Sequence, residues 1–198
     1  MKILIIGASG TIGKAIVAAT SEHEIITANF NSGDIQVDLQ NPDSIRQMFE
    51  KTGKLDAVIS AAGVADFAPL AELSDANFQL ALQNKLMGQV NLMRFGQDHI
   101  NAGGSITLTS GILSRHPMPG SAVISMANGA LESFVKTAAL EITTFRFNIV
   151  APAFVKETME MMGMDSSFGI SAADTSKAYL AAINGKMHGE TLDATDFI

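Results

Sequence analysis

The chain has 198 residues, enough for one domain with a sizeable core, and 47% of them are hydrophobic. A net charge of −7 argues against a nucleic-acid partner, for which a basic face is expected, and the longest apolar runs are too short to span a bilayer. There is no cysteine, which excludes disulfides and thiolate chemistry; with a strand beginning almost at Met1 and no leader ahead of it, a soluble cytoplasmic protein is expected.

Lys2 opens the apolar run Ile3-Leu4-Ile5-Ile6, which reads as a buried parallel strand stopped by Gly7-Ala8-Ser9-Gly10-Thr11-Ile12-Gly13. From Thr11 the apolar residues Ile12, Ala15, Ile16 and Ala19 fall at helical spacing. Strand, tight turn and helix in that order suit a dinucleotide pyrophosphate. One glycine allows the turn, another the close approach of the phosphates, and a third the packing of helix on strand, while the helix N-terminus offers unpaired N–H groups to the anion. The glycines are three apart rather than at G-x-G-x-x-G spacing, and a plain packing turn is the alternative.

Glu24 to Phe30 reads as a second strand, whose end meets the adenosine ribose in this architecture. An acidic residue there suits the 2′-hydroxyl of NAD, and a basic one the 2′-phosphate of NADP; Asn29-Phe30-Asn31-Ser32 is neither. The absent carboxylate removes a repulsion, and Asn31, Ser32 and Lys14 offer donors, so the expectation tilts towards NADP. Asp34 to Leu39 gives a third strand. Asn41-Pro42 then starts a helix whose apolar residues Ile45, Met48 and Phe49 mark one face. A fourth strand, Asp56 to Ser60, runs into Ser60-Ala61-Ala62-Gly63, small residues that leave room for a ligand or simply pack closely.

Ser74-Asp75 caps a long helix expected to run to about Ile100, with Phe78, Leu82, Leu86, Val90 and Met93 as its buried stripe and Asn84, Lys85 and Gln89 as a solvated face. Gly103-Gly104 turns into a fifth strand, Ser105 to Thr109, followed by Ser110-Gly111. A loop carrying His116 leads to a helix over Ser121 to Thr143, then a sixth strand from Phe145 to Val150 closed by Ala151-Pro152. A last helix near Ala172 to Asn184 and a short strand around Glu190 to Asp193 end the chain, while Met159 to Met162 with Phe154 and Phe168 suggest either a flexible apolar lid or packing over the sheet's edge. The alternation predicts a single α/β domain over residues 1–198, a doubly wound parallel sheet with helices on both faces.

Together these motifs resemble the short-chain dehydrogenases/reductases along nearly the whole chain. The resemblance is carried by the Gly7–Gly13 turn, Asp38-Leu39, Ser60-Ala61-Ala62-Gly63, Asn84, Thr109-Ser110 and Arg146-Phe147-Asn148-Ile149-Val150-Ala151-Pro152-Ala153. It implies NAD(P) binding, a small-molecule carbonyl or alcohol substrate, and a homodimer or homotetramer. Gly7, Ser9, Gly10, Thr11, Ile12 and Gly13 would hold the pyrophosphate, Asp38 and Leu39 the adenine, and Ala61, Ala62, Gly63 and Pro152 would line the cleft. Asn84 matches the asparagine of the family's proton relay, and Ser110 the serine that hydrogen-bonds the substrate oxygen.

The departures fall at the chemistry. Aligning Ser125-Met126-Ala127-Asn128-Gly129-Ala130-Leu131 on the family's run puts Ile124 where the family keeps its proton-donating tyrosine and Asn128 where it keeps the lysine that holds the ribose. The single tyrosine, Tyr179, lies far along the last helix; Ala153 replaces a glycine; and the chain is shorter than typical members beyond Pro152. Asn128 remains a candidate for the ribose by hydrogen bonding. His116 is a candidate replacement acid, since imidazole is the side chain suited to proton transfer near neutral pH, or merely a solvated loop residue. Lys85 is expected to point elsewhere, since one residue along a helix turns about 100°. His23, His99 and His188 have no metal-ligand spacing. Two classes stay open: an oxidoreductase with a rebuilt proton donor, or a non-catalytic NAD(P)-binding sensor or interaction protein. The helices near Ser74–Ile100 and Ser121–Thr143 carry more apolar residues than one sheet face needs, which favours self-association.

Overall fold

In the computed structural model, which describes residues 1–198, the run Lys2–Ile6 is strand β1, buried from Ile3 to Ile6 inside the sheet. Its neighbours are β2 (Glu24–Asn29) on one side and β4 (Leu55–Ser60) on the other, both parallel to it. Adding β3 (Ile35–Gln36), β5 (Ile100–Thr109), β6 (Arg146–Ala151) and β7 (Thr191–Asp193) completes a seven-stranded parallel sheet in the order β3-β2-β1-β4-β5-β6-β7. The order reverses between β1 and β4, and at such a switch point the carboxyl ends of the strands leave a crevice.

Helices cover both faces. One layer holds α2 (Pro42–Thr52), α3 (Asp75–Leu80), α4 (Gly88–Gly96) and α5 (Ala122–Ala139), and its core joins Phe49, Leu92, Leu131 and Phe147. The other layer holds α1 (Thr11–Ala19) and α7 (Ala172–Asn184), packed through Ile16, Ala178, Tyr179 and Ile183 onto Ile3, Ile5 and Ile59. Local chemistry explains the element starts: Asn41 accepts from the Asp43 and Ser44 N–H groups ahead of Pro42, and Ser171 accepts from the Asp174 N–H.

Four expectations change. The third strand shrinks to Ile35–Gln36, because Asp34 is spent on the Thr27 N–H and hydroxyl instead of on a ladder. Strand β5 begins at Ile100, so Gly103, at φ +79°, lies within it next to a register irregularity rather than turning the chain into it. The helix from Ser121 ends at Ala139. The long helix is not one α-helix: α3 passes into a π-helical segment, Ala81–Met87, then α4, then a 3-10 turn at Gln97–His99. Between β6 and α7, residues 153–171 carry α6 (Lys156–Met161) and a single bridge between Val155 and Ile170; Met159 is buried beneath, whereas Met161, Met162 and Phe168 are exposed.

The glycine turn is tighter than its spacing alone conveys. Gly7 has φ +81°, and a Cβ on Gly13 would lie 2.0 Å from the Gly7 carbonyl oxygen. A Cβ on Gly10 would meet only that oxygen, at 3.3 Å. Gly13→Ala is therefore expected to destabilise the whole fold by several kcal/mol, so that Gly13 cannot report on ligand binding alone, while Gly10→Ala costs under about 1 kcal/mol. Urea unfolding of the two variants checks this; equal midpoints would refute it.

Candidate active site

Two adjoining cavities run along the carboxyl edge of the sheet and share Ala61, Ala62 and Gly63. The first, about 440 Å³, lies over the switch point and is lined by Gly7, Ser9, Gly10, Asn29, Phe30, Asp38, Leu39 and Asn84 among others. The second, about 350 Å³, lies over the ends of β4, β5 and β6, with Ile12, Lys85, Thr109, Ile112, Leu113, Ile124, Asn128, Pro152, Ala153 and Phe154 in its wall. No group of three or more His, Cys, Asp or Glu side chains is placed to hold a metal ion.

In the first cavity Asn29, at the end of β2, accepts the Ser9 N–H at 2.9 Å and ties the glycine turn to the sheet. Lys14 is the first α1 residue whose N–H bonds back, to the Gly10 carbonyl at 2.9 Å, so the N–H groups of Thr11, Ile12 and Gly13 stay unpaired at the helix start. Such a cluster of free N–H groups suits an anion, and a side chain at Gly7 or Gly13 would have no room. Asn31 and Ser32 lie exposed outside the lining, since the chain leaves the sheet after Asn29, and no basic side chain lines this cavity.

The polar residues of the α3–α4 segment do not form a solvated face. Asn84 accepts the Val64 N–H at 2.8 Å and looks into the first cavity. Gln89, fully buried, accepts the Thr109 N–H and donates to the Thr109 carbonyl, both at 2.8 Å, and so fastens the end of β5. Lys85 does turn away from Asn84, as expected, but that rotation carries it into the second cavity. There it is buried and donates to the Ser110 carbonyl at 3.3 Å. Burial alone lowers its ammonium from 10.5 to about 8. A π-helical turn holds this pair of neighbours, and such turns recur where side chains must be aimed at a site.

Ser110 sits at the end of β5, but its hydroxyl donates to Glu132 of α5 at 2.9 Å, on the side away from the second cavity. The buried Glu132 carboxylate also accepts from Ser114 at 2.7 Å and pairs with Arg115 at 3.4 Å, and Arg115 reaches on to Asp193. This network, in which Glu132 and Arg115 had no sequence signal, pins the loop that carries Ile112 and Leu113. His116 is exposed on that loop and lines neither cavity, because the chain there turns outwards after the Arg115 anchor. Ile124 and Asn128, one turn apart on α5, both face the second cavity. Asn128 donates to the Gly111 carbonyl at 3.4 Å, and its Oδ1 is buried without a partner. Tyr179 is fully buried behind the sheet, its hydroxyl 2.6 Å from Thr109 Oγ1, and burial raises its pKa far above the usual phenol value.

This geometry fits a dinucleotide. The first cavity and its N–H cradle match the adenosine and pyrophosphate end, and the second offers an orphaned acceptor on Asn128 and spare donors on Lys85 beyond it. Residues 7–187 match the family model described as enoyl-(acyl carrier protein) reductase. Among curated relatives, hydroxynaphthalene reductase arp2 of Aspergillus fumigatus is 30% identical over 63% of this chain and 48% of its own length. Versicolorin reductase stcU of Emericella nidulans is 27% identical over 90% of this chain and 74% of its own. Among solved structures, the protein lin1944 from Listeria innocua is 41% identical with a TM-score of 0.93, covering 98% of each chain. A small-chain dehydrogenase in complex with NADPH is 25% identical with a TM-score of 0.85, covering 96% of this chain and 94% of that one. Matched from the glycine turn to residue 187, the chain belongs to the short-chain dehydrogenase/reductase family.

Proposed function

We propose that the protein is an NADPH-dependent reductase of a small, largely apolar carbonyl compound, with a proton donor other than the family's tyrosine. The observation that carries this is the paired cavity at the switch point, one half shaped for a nucleotide and the other walled by Ile112, Leu113, Ile124 and Phe154. The named relatives are reductases, and the small-chain dehydrogenase was solved with NADPH.

The N–H groups of Thr11, Ile12 and Gly13 would take the pyrophosphate, Asp38 and Leu39 would flank the adenine, and Asn128 Oδ1 would accept from a ribose hydroxyl. When bound, the nicotinamide supplies hydride. The chain's own residues orient the dinucleotide across Ala61–Gly63, exclude water with the apolar wall, and hold a proton source beside the carbonyl oxygen. Preference for NADPH rests on the absence of a carboxylate at Asn29–Ser32, which leaves Asp38 as the one carboxylate in the cavity wall. With no basic side chain in the cavity wall the preference is expected to be mild, a dissociation constant lower than for NADH by less than about tenfold, or about 1 kcal/mol. Titration of both dinucleotides followed by turnover on a panel of ketones and aldehydes tests the reading. Tighter NADH binding overturns the preference; dinucleotide binding without turnover overturns the activity and favours a sensor.

Assembly into a homodimer or homotetramer is part of this reading. Phe78, Leu82, Leu86 and Val90, expected in the core, are only half-buried, with Met87 and Met126 exposed beside them. Phe134 of α5 is also half-buried, and a second copy of the chain would cover the exposed parts of these side chains. Light scattering at micromolar concentration is expected to give at least twice the chain mass of 20.9 kDa, and a monomer would count against it.

A further inference from the structure

The second cavity has one ionisable side chain in its wall, and it is Lys85. The other polar side chains there are accounted for. Thr109 is bonded to the Ser60 carbonyl and the Tyr179 hydroxyl, Thr158 stands exposed at the rim, and Asn128 is an amide. Lys85 is 6% exposed, takes part in none of the ion pairs of the fold, and uses one of its three donors, on the Ser110 carbonyl at 3.3 Å. Asn128 leans on the next carbonyl along, that of Gly111, and keeps its buried Oδ1 free. A largely apolar cavity thus carries a cation with unused protons and an amide with an unused acceptor, on facing helices. Buried polar groups are rarely left in that state, and a ligand oxygen or an ordered water completes them.

We propose that Lys85 is the catalytic acid of this site: its ammonium, braced on the Ser110 carbonyl, hydrogen-bonds the carbonyl oxygen of a small apolar ketone or aldehyde and protonates it during reduction. The proposal rests on the reductase reading above. In the step, the C=O π bond breaks and the carbon forms a C–H bond with hydride from NADPH, which leaves as NADP⁺. The oxygen takes a proton from Lys85 Nζ, the N–H electron pair stays on the neutral amine, and solvent reprotonates it. An ammonium lowered to about 8 is mostly charged at neutral pH yet gives up its proton readily, which is the range that favours general acid catalysis. The charged and titratable groups on the surrounding elements leave it this role. Glu132 of α5 is held by Ser110, Ser114 and Arg115; Tyr179 of α7 lies neutral behind Thr109; on α6, Glu157 caps the Ala172 N–H and Lys156 is exposed.

The test compares the parent with Lys85→Met and Lys85→Arg. For the parent with NADPH and a reactive ketone, kcat is expected to fall as pH rises through about 8. Lys85→Met should lose about a hundredfold or more of kcat and that pH limb, with the NADPH dissociation constant within about threefold of the parent's. Lys85→Arg keeps the charge but does not release a proton in this range, so it should remain as slow. A readout independent of turnover is trace acetylation of the ligand-free protein with acetic anhydride between pH 6 and 11, followed by peptide mass spectrometry. Lys85 should label with a midpoint near 8, well below the exposed lysines, and NADPH with an unreactive ketone analogue should protect it. Turnover that survives in Lys85→Met, or labelling of Lys85 alongside the exposed lysines, overturns the assignment. Failure of the parent to reduce any ketone while NADPH binds overturns the reductase reading and this proposal with it.

Discussion

Replacing Lys85 with methionine is expected to make the protein more stable at pH 7, with the advantage shrinking as the pH is raised towards 10. The folded state lowers the Lys85 ammonium from 10.5 to about 8. Between those values the unfolded chain binds a proton that the native chain does not, so stability rises with pH across that window. Below pH 8 both states are protonated, and the native state carries the full cost of the buried charge, up to about 3 kcal/mol at about 1.4 kcal/mol per pH unit. Methionine fills similar space without that cost, so a gain of about 1–3 kcal/mol, at about 2–4 °C per kcal/mol, is expected in the melting temperature. Tyr179 acts in the opposite sense but only above pH 10, where the unfolded phenol ionises and the buried one does not; it is common to both proteins and cancels in their difference. Melting curves of parent and variant at pH 7, 8.5 and 10 decide the matter. A less stable variant would make Lys85 a structural cation; a more stable one marks a residue kept at a cost in stability, as functional groups often are.

That lysine also shows where reading the sequence succeeds and where it stops. The β1–turn–α1 unit, the Asn41-Pro42 cap and the buried face of Ile45, Met48 and Phe49 all rest on interactions between residues near in sequence, and each appears as expected. The segment from Asp75 to Gly96 fails because its inward face is not its most apolar one. Ala81, Lys85, Gly88, Gln89, Leu92 and Gly96 turn inwards; Gln89 is satisfied by Thr109, and Lys85 spends one donor on Ser110, both distant in sequence. Hydrophobic periodicity cannot see a lysine whose partner is a free carbonyl at a strand end, and a π-helical turn shifts the phase of the count. A usable signal was nevertheless present in the small residues. A Cβ on Gly88 would lie 2.8 Å from that of Leu39, and one on Gly96 2.6 Å from the Phe49 ring. Those two glycines mark the face that packs, and Lys85 and Gln89 share it.

Ser110 and His116 were legible only as positions after β5. Which way their side chains point depends on Glu132 and Arg115, which carry no motif, and the resulting network turns the serine hydroxyl from the second cavity and leaves the histidine outside. The same limit applies to Asn31 and Ser32: the segment after β2 was recognisable, but its path away from the sheet was not. By contrast Gly7, Gly10, Asp38, Leu39 and Ala61–Gly63 converge on the cavities because they follow directly from strand ends, whose positions the parallel alternation dictates.

Introducing tyrosine at Ile124 alone is expected to raise carbonyl reduction with NADPH by about tenfold, less than the hundred- to ten-thousand-fold worth of a general acid because Lys85 already supplies one. Ile124 faces the second cavity one turn from Asn128, so a phenol there would enter the space that holds the substrate oxygen. It would not need a new cation, because Lys85 approaches the same cavity from the facing helix, and a nearby ammonium favours the phenolate. Adding Asn128→Lys to Ile124→Tyr should therefore not help further: it sets a second ammonium in a cavity where Lys85 is already short of solvent, and it removes the free Asn128 acceptor. The gain from Ile124→Tyr should shrink in a Lys85→Met background, since the phenol would then have no cation to lower its pKa. It should largely survive Ser110→Ala, whose hydroxyl serves Glu132 rather than the cavity. Steady-state kinetics of these four variants, each with its NADPH dissociation constant, check the argument. An Ile124→Tyr protein that binds NADPH normally but gains nothing would show that the carbonyl does not sit between α5 and Lys85. A larger gain in the Asn128→Lys double variant would show that Lys85 does not supply the cation the phenol requires.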